Sequence, residues 1–458
     1  MDDGQTTGRR SRGIGIVVIS TATLLALWLG MDAIVSSPEG ISSLPDSGGK
    51  HRVVGHSMEP SLRGRRLPAV CSRCDASMQV FESRGVSPSW LCPHCGESLQ
   101  VVGAGGSEGE LLSVKPLGQG DRVERDDFVV FQDAASGQWH VKRVVGLPGE
   151  SLAIDGGDLA IDGQLIRKSV WRFLQSATLL AVWNPESPAS DRWHRLDGQE
   201  AVLSYRHRSP WPRKASDYSM QPASIADEDW RDADQSWPMV TVDDVGMVID
   251  LSDLSAGFSM ELEGYHPAGR WQVRLHRMES GVWRAAVGTS ESPKWQRSPA
   301  VELKASSSSS VRIVVAHVDS AVRVGIEGGD EHWWVWPLPS PSQVGVAVES
   351  QGESAVSATQ PLQIRWLKGA GSLTKARVVR DVHYRGPHGE ASWETLVPVA
   401  HLFLLGDHPS GSLDSRQRGP VRQESKSLFG RVEGPGSWSD RMELQESDLG
   451  SRKTVVLP

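Results

Sequence analysis

Residues 140–150 read HVKRVVGLPGE, an alternating run that ends in a Gly and Pro turn signal. The alternation predicts a β-strand in which Lys142 and Val144 share one face. A lysine on an apolar strand face loses solvation, which disfavours the charged form of the amine. A neutral amine can act as a general base toward a hydroxyl group, whereas a solvated lysine on an edge strand is the more common outcome.

Two further segments carry polar side chains that could form a catalytic site together with such a lysine. Residues 55–62 read GHSMEPSL, which presents Ser57 on a constrained turn, although an ordinary surface turn would look similar. Residues 403–416 read FLLGDHPSGSLDSR, in which a Gly-Asp pair is followed by a Ser-x-Asp-Ser-Arg box. Either segment alone is a weak signal, and their combination with the lysine strand is a strong one.

Together the three segments resemble the type I signal peptidases, which are membrane-anchored serine proteases with a Ser/Lys dyad. The resemblance implies a mostly β protease fold, with Ser57 as the nucleophile and Lys142 as the general base. It covers the N-terminal anchor, residues 52–65 and 110–168, and residues 398–435, which is less than half of the chain. It implies no cofactor for catalysis, and cleavage of exported preproteins after small residues.

The same resemblance implies supporting roles for five more residues. Ser412 would hydrogen-bond the lysine amine and hold it aimed at the nucleophile. Asp414 would pair with Arg416 to brace the loop. Asp407 would pair with Arg143 beside the lysine.

A histidine base is the competing interpretation of the same segments. His56, His140 and His408 all lie beside motif residues, and Asp407 could orient an imidazole in a triad. A related branch of the family, the eukaryotic and archaeal type, uses histidine in this way. The lysine interpretation is favoured because Lys142 stands where the bacterial and organellar type has its base.

Four cysteines follow the nucleophile segment with the spacing of a zinc ribbon. Cys71 and Cys74 form one C-x2-C pair, and Cys92 and Cys95 form a second pair 17 residues later. Two such pairs supply four thiolates to a closed tetrahedral site, so the predicted zinc is structural. Disulfides are the alternative, because thiols outside the cytoplasm can oxidise.

The N-terminal region predicts a membrane anchor. Residues 13–31 contain no charged side chain, and an apolar helix of this length can span a bilayer core of about 30 Å. Arg9, Arg10 and Arg12 precede it, so the positive-inside rule places the N-terminus in the cytoplasm. A cleaved secretion signal would have a shorter apolar run of about 7–15 residues. We therefore expect a single-pass protein of the inner (cytoplasmic) membrane, with its catalytic domain on the outer (periplasmic) face.

The long region after the lysine strand is rich in tryptophan and in alternating apolar runs. Runs such as those at 271–275 and 322–326 predict short strands of a β-sandwich at about 245–380, of laminin-G or concanavalin-like form. The HWWVW run at 332–336 could stack on sugar rings, although packing in the core and at the sheet edge is the simpler explanation. Long inserts of this kind resemble those in signal peptidases of planctomycete-like bacteria.

Composition excludes several classes of protein. The 458 residues include 48 Lys and Arg against 56 Asp and Glu, a net charge of −8. A protein that binds nucleic acid by neutralising phosphates would be basic, so no nucleic-acid partner is expected. The hydrophobic fraction of 38% excludes a wholly disordered chain, and four cysteines cannot form a disulfide scaffold.

The predicted architecture is mainly β and discontinuous. Its parts are a cytoplasmic tail (1–12), a transmembrane anchor (13–35), a linker (36–51), a first protease segment (52–168) that contains the zinc-ribbon insert (68–100), a second insert (169–395) with the β-sandwich, a second protease segment (396–435) and a C-terminal tail (436–458). The expected partners are signal peptides of exported preproteins and the lipid bilayer, and a glycan or protein ligand of the sandwich stays open. The alternatives are a processing peptidase with narrow clients and an inactive, membrane-anchored glycan- or protein-binding protein.

Overall fold

The computed structural model describes most of residues 49–434, together with residues 442, 445 and 446. Its longer internal gaps are residues 82–89, 210–220, 226–239, 298–309 and 338–361. The predicted cytoplasmic tail and transmembrane anchor lie outside the described residues, as does most of the C-terminal tail. In the part of the chain that is described, no helix is both long and apolar enough to cross a membrane. The prediction of a mainly β protein is confirmed.

A seven-stranded antiparallel sheet is built from the two ends of the described chain. In spatial order its strands are β1 (Gly49–Arg52), β5 (Leu111–Pro116), β29 (Leu428–Glu433), β6 (Phe128–Gln132), β7 (Trp139–Gly146), β27 (His401–Leu405) and β28 (Val421–Arg422). Side chains alternate along β7, so Val141 packs in one apolar cluster with Met58, whereas Val144 packs in another with Leu404. Apolar clusters on the two sides of the sheet therefore bury both faces of the lysine strand.

Two smaller sheets extend this body. One has the order β10 (Gln164–Leu165), β9 (Asp158–Ile161), β8 (Ser151–Asp155) and β26 (Ser392–Leu396). The other has the order β3 (Ser77–Phe81), β2 (Arg66–Cys71) and β4 (Leu99–Val101). The second of these carries the cysteine segment, and Met78, Val80 and Trp90 form its apolar core with Cys71 and Cys92.

The remaining strands form a β-sandwich. One sheet has the order β11 (Thr178–Trp183), β25 (Ser372–Arg380), β16 (Val245–Ser252), β21 (Ser310–Val318), β22 (Ala321–Ile326) and β23 (Trp334–Pro337). The other has the order β12 (Trp193–Leu196), β13 (Val202–Tyr205), β24 (Leu362–Lys368), β17 (Ser259–His266), β18 (Gly269–Arg277), β19 (Trp283–Thr289) and β20 (Ser292–Arg297). A short pair, β14 (Arg208–Ser209) and β15 (Gln221–Pro222), lies outside both sheets.

The sandwich core follows the alternation of the sequence. Met247 and Ile249 of one sheet share a fully buried cluster with Trp271 and Val273 of the other. Trp336 of the HWWVW run belongs to the same cluster, whereas Trp333 lies outside the described residues. Strands β11, β12 and β13 also belong to the two sheets, although they precede the predicted sandwich range.

A short helix joins the sandwich to the seven-stranded sheet. Helix α1 (Val170–Ser176) begins after Ser169, whose side chain accepts a hydrogen bond from the Arg172 N–H. Phe173 packs against Val248, on the face of the six-stranded sheet that points away from the sandwich core. Arg172 also forms an ion pair with Asp126, in the loop that precedes β6.

Candidate active site

Ser57 lies on a tight turn between β1 and β2 (residues 55–62), which we call the nucleophile turn after the role that the sequence predicts for Ser57. The Glu59 N–H donates to the His56 carbonyl at 2.9 Å, and the Leu62 N–H donates to the Met58 carbonyl at the same distance. Met58 and Leu62 are buried in the core beside β7, while Ser57 is 6% exposed. Met58 and Leu62 therefore anchor the turn by their apolar side chains.

The end of this turn is fixed by a buried carboxylate. Glu59 accepts a hydrogen bond from the Gly64 N–H at 3.2 Å and forms an ion pair with Arg66 at the start of β2. Strand β2 leads directly into the cysteine segment. The contacts of Glu59 therefore connect that segment to the nucleophile turn.

Lys142 is completely buried, and its amine points at residues 403–416, the motif loop. The amine donates to the Ser412 Oγ at 2.7 Å. Ser412 in turn donates to the Asp414 Oδ2 at 2.9 Å. A hydroxyl has one hydrogen to give, so bonding to the carboxylate leaves a lone pair of Ser412 for the lysine. The loop therefore fixes the position of the amine through a hydroxyl with a defined orientation.

Asp414 is held as a carboxylate by its neighbour. Its side chain and that of Arg416 are fully buried, and two hydrogen bonds of 2.8 and 2.7 Å join them. Burial opposes ionisation, but the Arg416 guanidinium holds the pKa of Asp414 below its ordinary value. Asp414 also caps helix α2 (Ser415–Arg418), because its side chain accepts from the Arg416 N–H.

The motif loop touches the nucleophile turn at Gly406. The Gly406 N–H donates to Asp414, and the His408 N–H donates to the Ser57 carbonyl at 3.1 Å. A Cβ on Gly406 would lie 2.2 Å from the Ser412 Oγ and 2.5 Å from the Ser57 carbonyl oxygen. This close approach places the backbone of Ser57 directly beside the hydroxyl that holds the lysine amine.

A buried ion pair joins the lysine strand to the same two segments. Arg143 bonds Asp407 through Nε at 2.9 Å and Nη2 at 2.6 Å, with side chains only 3% and 0% exposed. The same Nη2 donates to the Ser61 Oγ at 3.0 Å, and the guanidinium stacks on Phe128. Tyr384 donates a further hydrogen bond to Asp407. Arg143 thus holds the nucleophile turn and the motif loop in a fixed relation to β7.

The structure describes the surroundings of the three histidines that the competing interpretation would use as the base. Burial lowers the pKa of His140 to about 4 and lowers that of His56 well below its ordinary value. The His408 Nδ1 accepts the Gly411 N–H at 3.0 Å within its own loop. Asp407, the candidate orienting acid, is engaged by Arg143 and Tyr384, as described above. Among the described residues, Asp407 therefore forms its ion pair with Arg143.

The cysteine segment contacts His56, the residue next to Ser57. The His56 ring stacks on Phe81 at the end of β3, with centroids 4.2 Å apart, and meets His408 edge-on at 5.4 Å. Phe81 packs edge-on against Trp90 in the apolar core of the segment. Sequence reasoning missed this contact, because nothing in the spacing of Phe81 relates it to the nucleophile turn.

The four cysteines converge as a tetrahedral metal site requires. Their Sγ atoms lie within 4.8 Å of one another, with 3.4 Å between Cys71 and Cys95 and 3.6 Å between Cys74 and Cys92. A disulfide bond would need about 2.05 Å, whereas thiolates bound to zinc at about 2.3 Å lie about 3.8 Å apart. Burial acts against ionisation of both Cys71 and Cys95. The N–H groups of Arg73 and Cys74 nevertheless lower the pKa of Cys71, whereas burial raises that of Cys95 to about 11. These residues fit a closed four-thiolate zinc site.

One comparison with known proteins bears on the site. Residues 49–186 match the family model described as signal peptidase, peptidase S26. The match covers less than a third of the chain and includes Ser57, Lys142, Arg143 and the cysteine segment, while the motif loop at 403–416 lies beyond it. No curated protein matches the chain.

Solved structures show only distant similarity. A protein of unknown function from Saccharomyces cerevisiae is 9% identical, with 49% of this chain and 97% of that chain covered and a TM-score of 0.19. The CBM2 module of the evolved Dit protein of Lactobacillus casei BL23 phage J-1 is 7% identical, with 51% and 98% covered and a TM-score of 0.24. A mutant of the GH43 protein BlXynB from Bacillus licheniformis is 10% identical, with 74% and 64% covered and a TM-score of 0.22. These scores are too low to support an argument about function.

Proposed function

We propose that this chain is a membrane-bound serine endopeptidase of the signal peptidase type, which removes N-terminal signal peptides from exported preproteins. Ser57 is the nucleophile and Lys142 the general base. One observation carries the proposal: a fully buried lysine amine bonds a hydroxyl of the loop that contacts the Ser57 backbone. The match of residues 49–186 to the signal peptidase family model supports the same class.

The proposed reaction has two chemical steps. In the first, the Ser57 Oγ bonds to the scissile carbonyl carbon and its proton passes to the Lys142 amine. The C–N bond then breaks, and the lysine gives the proton to the leaving amine of the mature protein. In the second step a water molecule loses a proton to the lysine and attacks the acyl carbon. The bond from that carbon to the Ser57 Oγ breaks, the lysine returns the proton to this oxygen, and the signal peptide is released.

The supporting residues position the reacting groups, and no covalent bond forms or breaks at them. Ser412 keeps the lysine amine at 2.7 Å, and Asp414 keeps the hydroxyl of Ser412 aimed away from the amine proton. Arg143 and Asp407 keep the nucleophile turn and the motif loop together. Preorganisation of this kind matters because a misplacement of about 1 Å can cost about 100-fold in rate.

The proposal includes a cellular location and a structural metal. An anchor at residues 13–35 would hold the chain in the inner membrane with the dyad on the outer face, near the end of a membrane-bound signal peptide. Zinc held by Cys71, Cys74, Cys92 and Cys95 would maintain the ribbon that supports His56 through Phe81. The second insert makes this a form of the family with an accessory β-sandwich, as in the planctomycete-like signal peptidases that it resembles.

The test is cleavage of a preprotein with an Ala-x-Ala site by the full chain in detergent. We expect cutting at that bond by the wild type, loss of cutting in Lys142→Ala, and wild-type activity in the matched control Lys115→Ala, whose side chain is exposed on β5. Cutting that survives in Lys142→Ala would contradict the assignment of the base. No cutting of general preproteins by folded wild type would favour a processing peptidase with narrow clients or a binding protein.

A further inference from the structure

Helix α1 belongs to the second insert, and it contacts the nucleophile turn. The Ser61 Oγ donates a hydrogen bond to the Gln175 carbonyl at 3.2 Å, in the last turn of the helix. The last four carbonyls of a helix have no partner within it, so the hydroxyl satisfies one of them. Ser61 is completely buried, and its Oγ also accepts the Arg143 Nη2 at 3.0 Å. The single hydrogen of the hydroxyl is therefore directed at the helix.

The same helix contacts a loop that is bonded to the lysine strand. Arg172, in the first turn of the helix, forms an ion pair with Asp126 in the loop before β6. The Asp126 N–H donates to the Val144 carbonyl at 2.8 Å, and Val144 lies two residues after Lys142 on β7. One helix therefore connects the turn that carries Ser57 with the strand that carries Lys142.

The ion pair of the helix belongs to the same charged group as Arg143 and Asp407. Burial raises the pKa of Asp126, and the positive charges of Arg172 and Arg143 oppose that rise. Burial lowers the pKa of Arg172, and the negative charges of Asp126 and Asp407 oppose that change. Two positive and two negative side chains thus balance one another. Removing Arg172 would leave an unbalanced negative charge beside the ion pair that holds the turn and the motif loop.

The sandwich holds the opposite side of the helix. Phe173 and Leu174 are completely buried and pack with Val248 and Val314 of the six-stranded sheet. A helix of seven residues is too short to be stable by itself in water, so its position depends on this packing. The contacts of the helix with the nucleophile turn therefore depend on the sandwich.

We propose that Arg172 is a positioning residue for the Ser57/Lys142 dyad, acting through helix α1. This inference rests on the proposed peptidase function. The ion pair of Arg172 fixes the helix to the loop before β6, and the Ser61 hydroxyl fixes the nucleophile turn to the helix. Without the ion pair the helix can shift, and the turn shifts with it. The second insert is then part of the catalytic geometry, and its removal would lower activity.

The first measurement is hydrogen exchange of the nucleophile turn in the full chain in detergent. The N–H groups of Glu59 and Leu62 are bonded within the turn, so a proteolytic fragment that covers residues 55–62 reports its opening. Arg172→Ala is expected to speed this exchange about 5-fold and to leave the exchange of β16 unchanged. The matched control, Arg274→Ala, removes an ion pair with Glu261 on the outer face of the other sheet and should change neither.

Two results would overturn the proposal. One is unchanged exchange of the turn in Arg172→Ala, and the other is an equal acceleration in β16, which would indicate a general loss of stability. Asp126→Asn removes the same ion pair from the loop side and should give the same result as Arg172→Ala. This second variant keeps the test valid if Arg172→Ala folds poorly.

Cleavage of an Ala-x-Ala preprotein then measures the effect on catalysis. Arg172→Ala is expected to lower kcat about 10-fold at unchanged KM. This loss is smaller than the roughly 100-fold cost of a 1 Å misplacement, because Arg143 still holds the turn. Arg172→Lys keeps the positive charge and should recover most of the lost kcat. A kcat within about 2-fold of the wild type in Arg172→Ala, or an equal loss in Arg172→Lys, would contradict the role of the ion pair.

The two assignments can fail separately. If folded wild type cuts no preprotein, the peptidase proposal fails, and hydrogen exchange still decides whether the helix holds the turn. If wild type and Arg172→Ala cut equally well, the positioning role alone fails.

Discussion

Replacing Gly406 by alanine should disable the site without unfolding the protein. The added Cβ would lie 2.2 Å from the Ser412 Oγ, whereas real Cβ contacts are essentially never below 3.0 Å. The two groups must therefore separate by at least ~0.8 Å. Neither neighbour can yield freely, because Ser412 is bonded to Lys142 and Asp414, and the Ser57 carbonyl is held by a backbone N–H.

The size of the effect follows from that displacement. Ser412 bonds the Lys142 amine, so a displacement approaching 1 Å at Ser412 should move the proposed base relative to Ser57. A misplacement of about 1 Å costs about 100-fold in rate, so we expect kcat to fall about 30- to 100-fold. Overpacking of this kind costs about 1–3 kcal/mol of folding free energy, which a domain of ordinary stability survives. The KM for the preprotein should change little, because the binding surface is not altered.

The assay is steady-state cleavage of an Ala-x-Ala preprotein, with urea unfolding monitored in parallel. Gly118→Ala is the matched control, because its nearest neighbour would be the Asp121 carboxylate at 3.6 Å, an ordinary contact. A folded Gly406→Ala protein with wild-type kcat would refute the argument that these two segments meet at the catalytic centre.

Three other perturbations test separate parts of the structure. Arg143→Ala strands Asp407 as an unpaired buried charge and should cost about 3–5 kcal/mol in urea unfolding; a loss below about 1 kcal/mol would contradict the ion pair. The pKa of His140 is lowered from 6.5 to about 4, so stability should be complete above pH 6.5 and fall by up to ~3 kcal/mol as the pH drops to 4. His140→Gln should flatten that profile, and an unchanged slope would show that other groups cause it. If the four cysteines bind zinc as proposed, Cys92→Ser should lower both the zinc content and kcat, whereas Phe81→Ala should lower kcat and leave the zinc content unchanged in elemental analysis. Full activity of both variants would exclude support of the nucleophile turn by the cysteine segment.

Much of the site could be predicted because its residues lie in short, recognisable segments. The contacts between Lys142 and Ser412, and between Asp414 and Arg416, are present in the structure as the motifs suggest. The catalytic roles of these residues stay predictions. The close approach at Gly406 was not visible in the sequence, because it depends on how two segments about 350 residues apart meet.

The middle of the fold was harder to predict for a related reason. Alternation marks individual strands, but it does not show which strands pair. Strand β11 pairs with β25, almost two hundred residues later, and β13 pairs with β24, so the sandwich begins earlier in the chain than its clearest apolar runs. The meeting of Asp158, Asp244 and Asp319, whose carboxylate oxygens lie within 4.8 Å of one another, could not be predicted for the same reason, since each residue alone is an ordinary loop or edge aspartate.

The most direct test of the dyad is a double-mutant comparison of Ser57→Ala, Lys142→Ala and the combined variant, measured as kcat/KM for the same preprotein. Residues that act as one catalytic unit are grossly non-additive, so each single substitution should remove nearly all cleavage and the combined variant should be no worse. Substantial cleavage in either single variant, or losses that multiply in the combined one, would contradict a Ser57/Lys142 dyad.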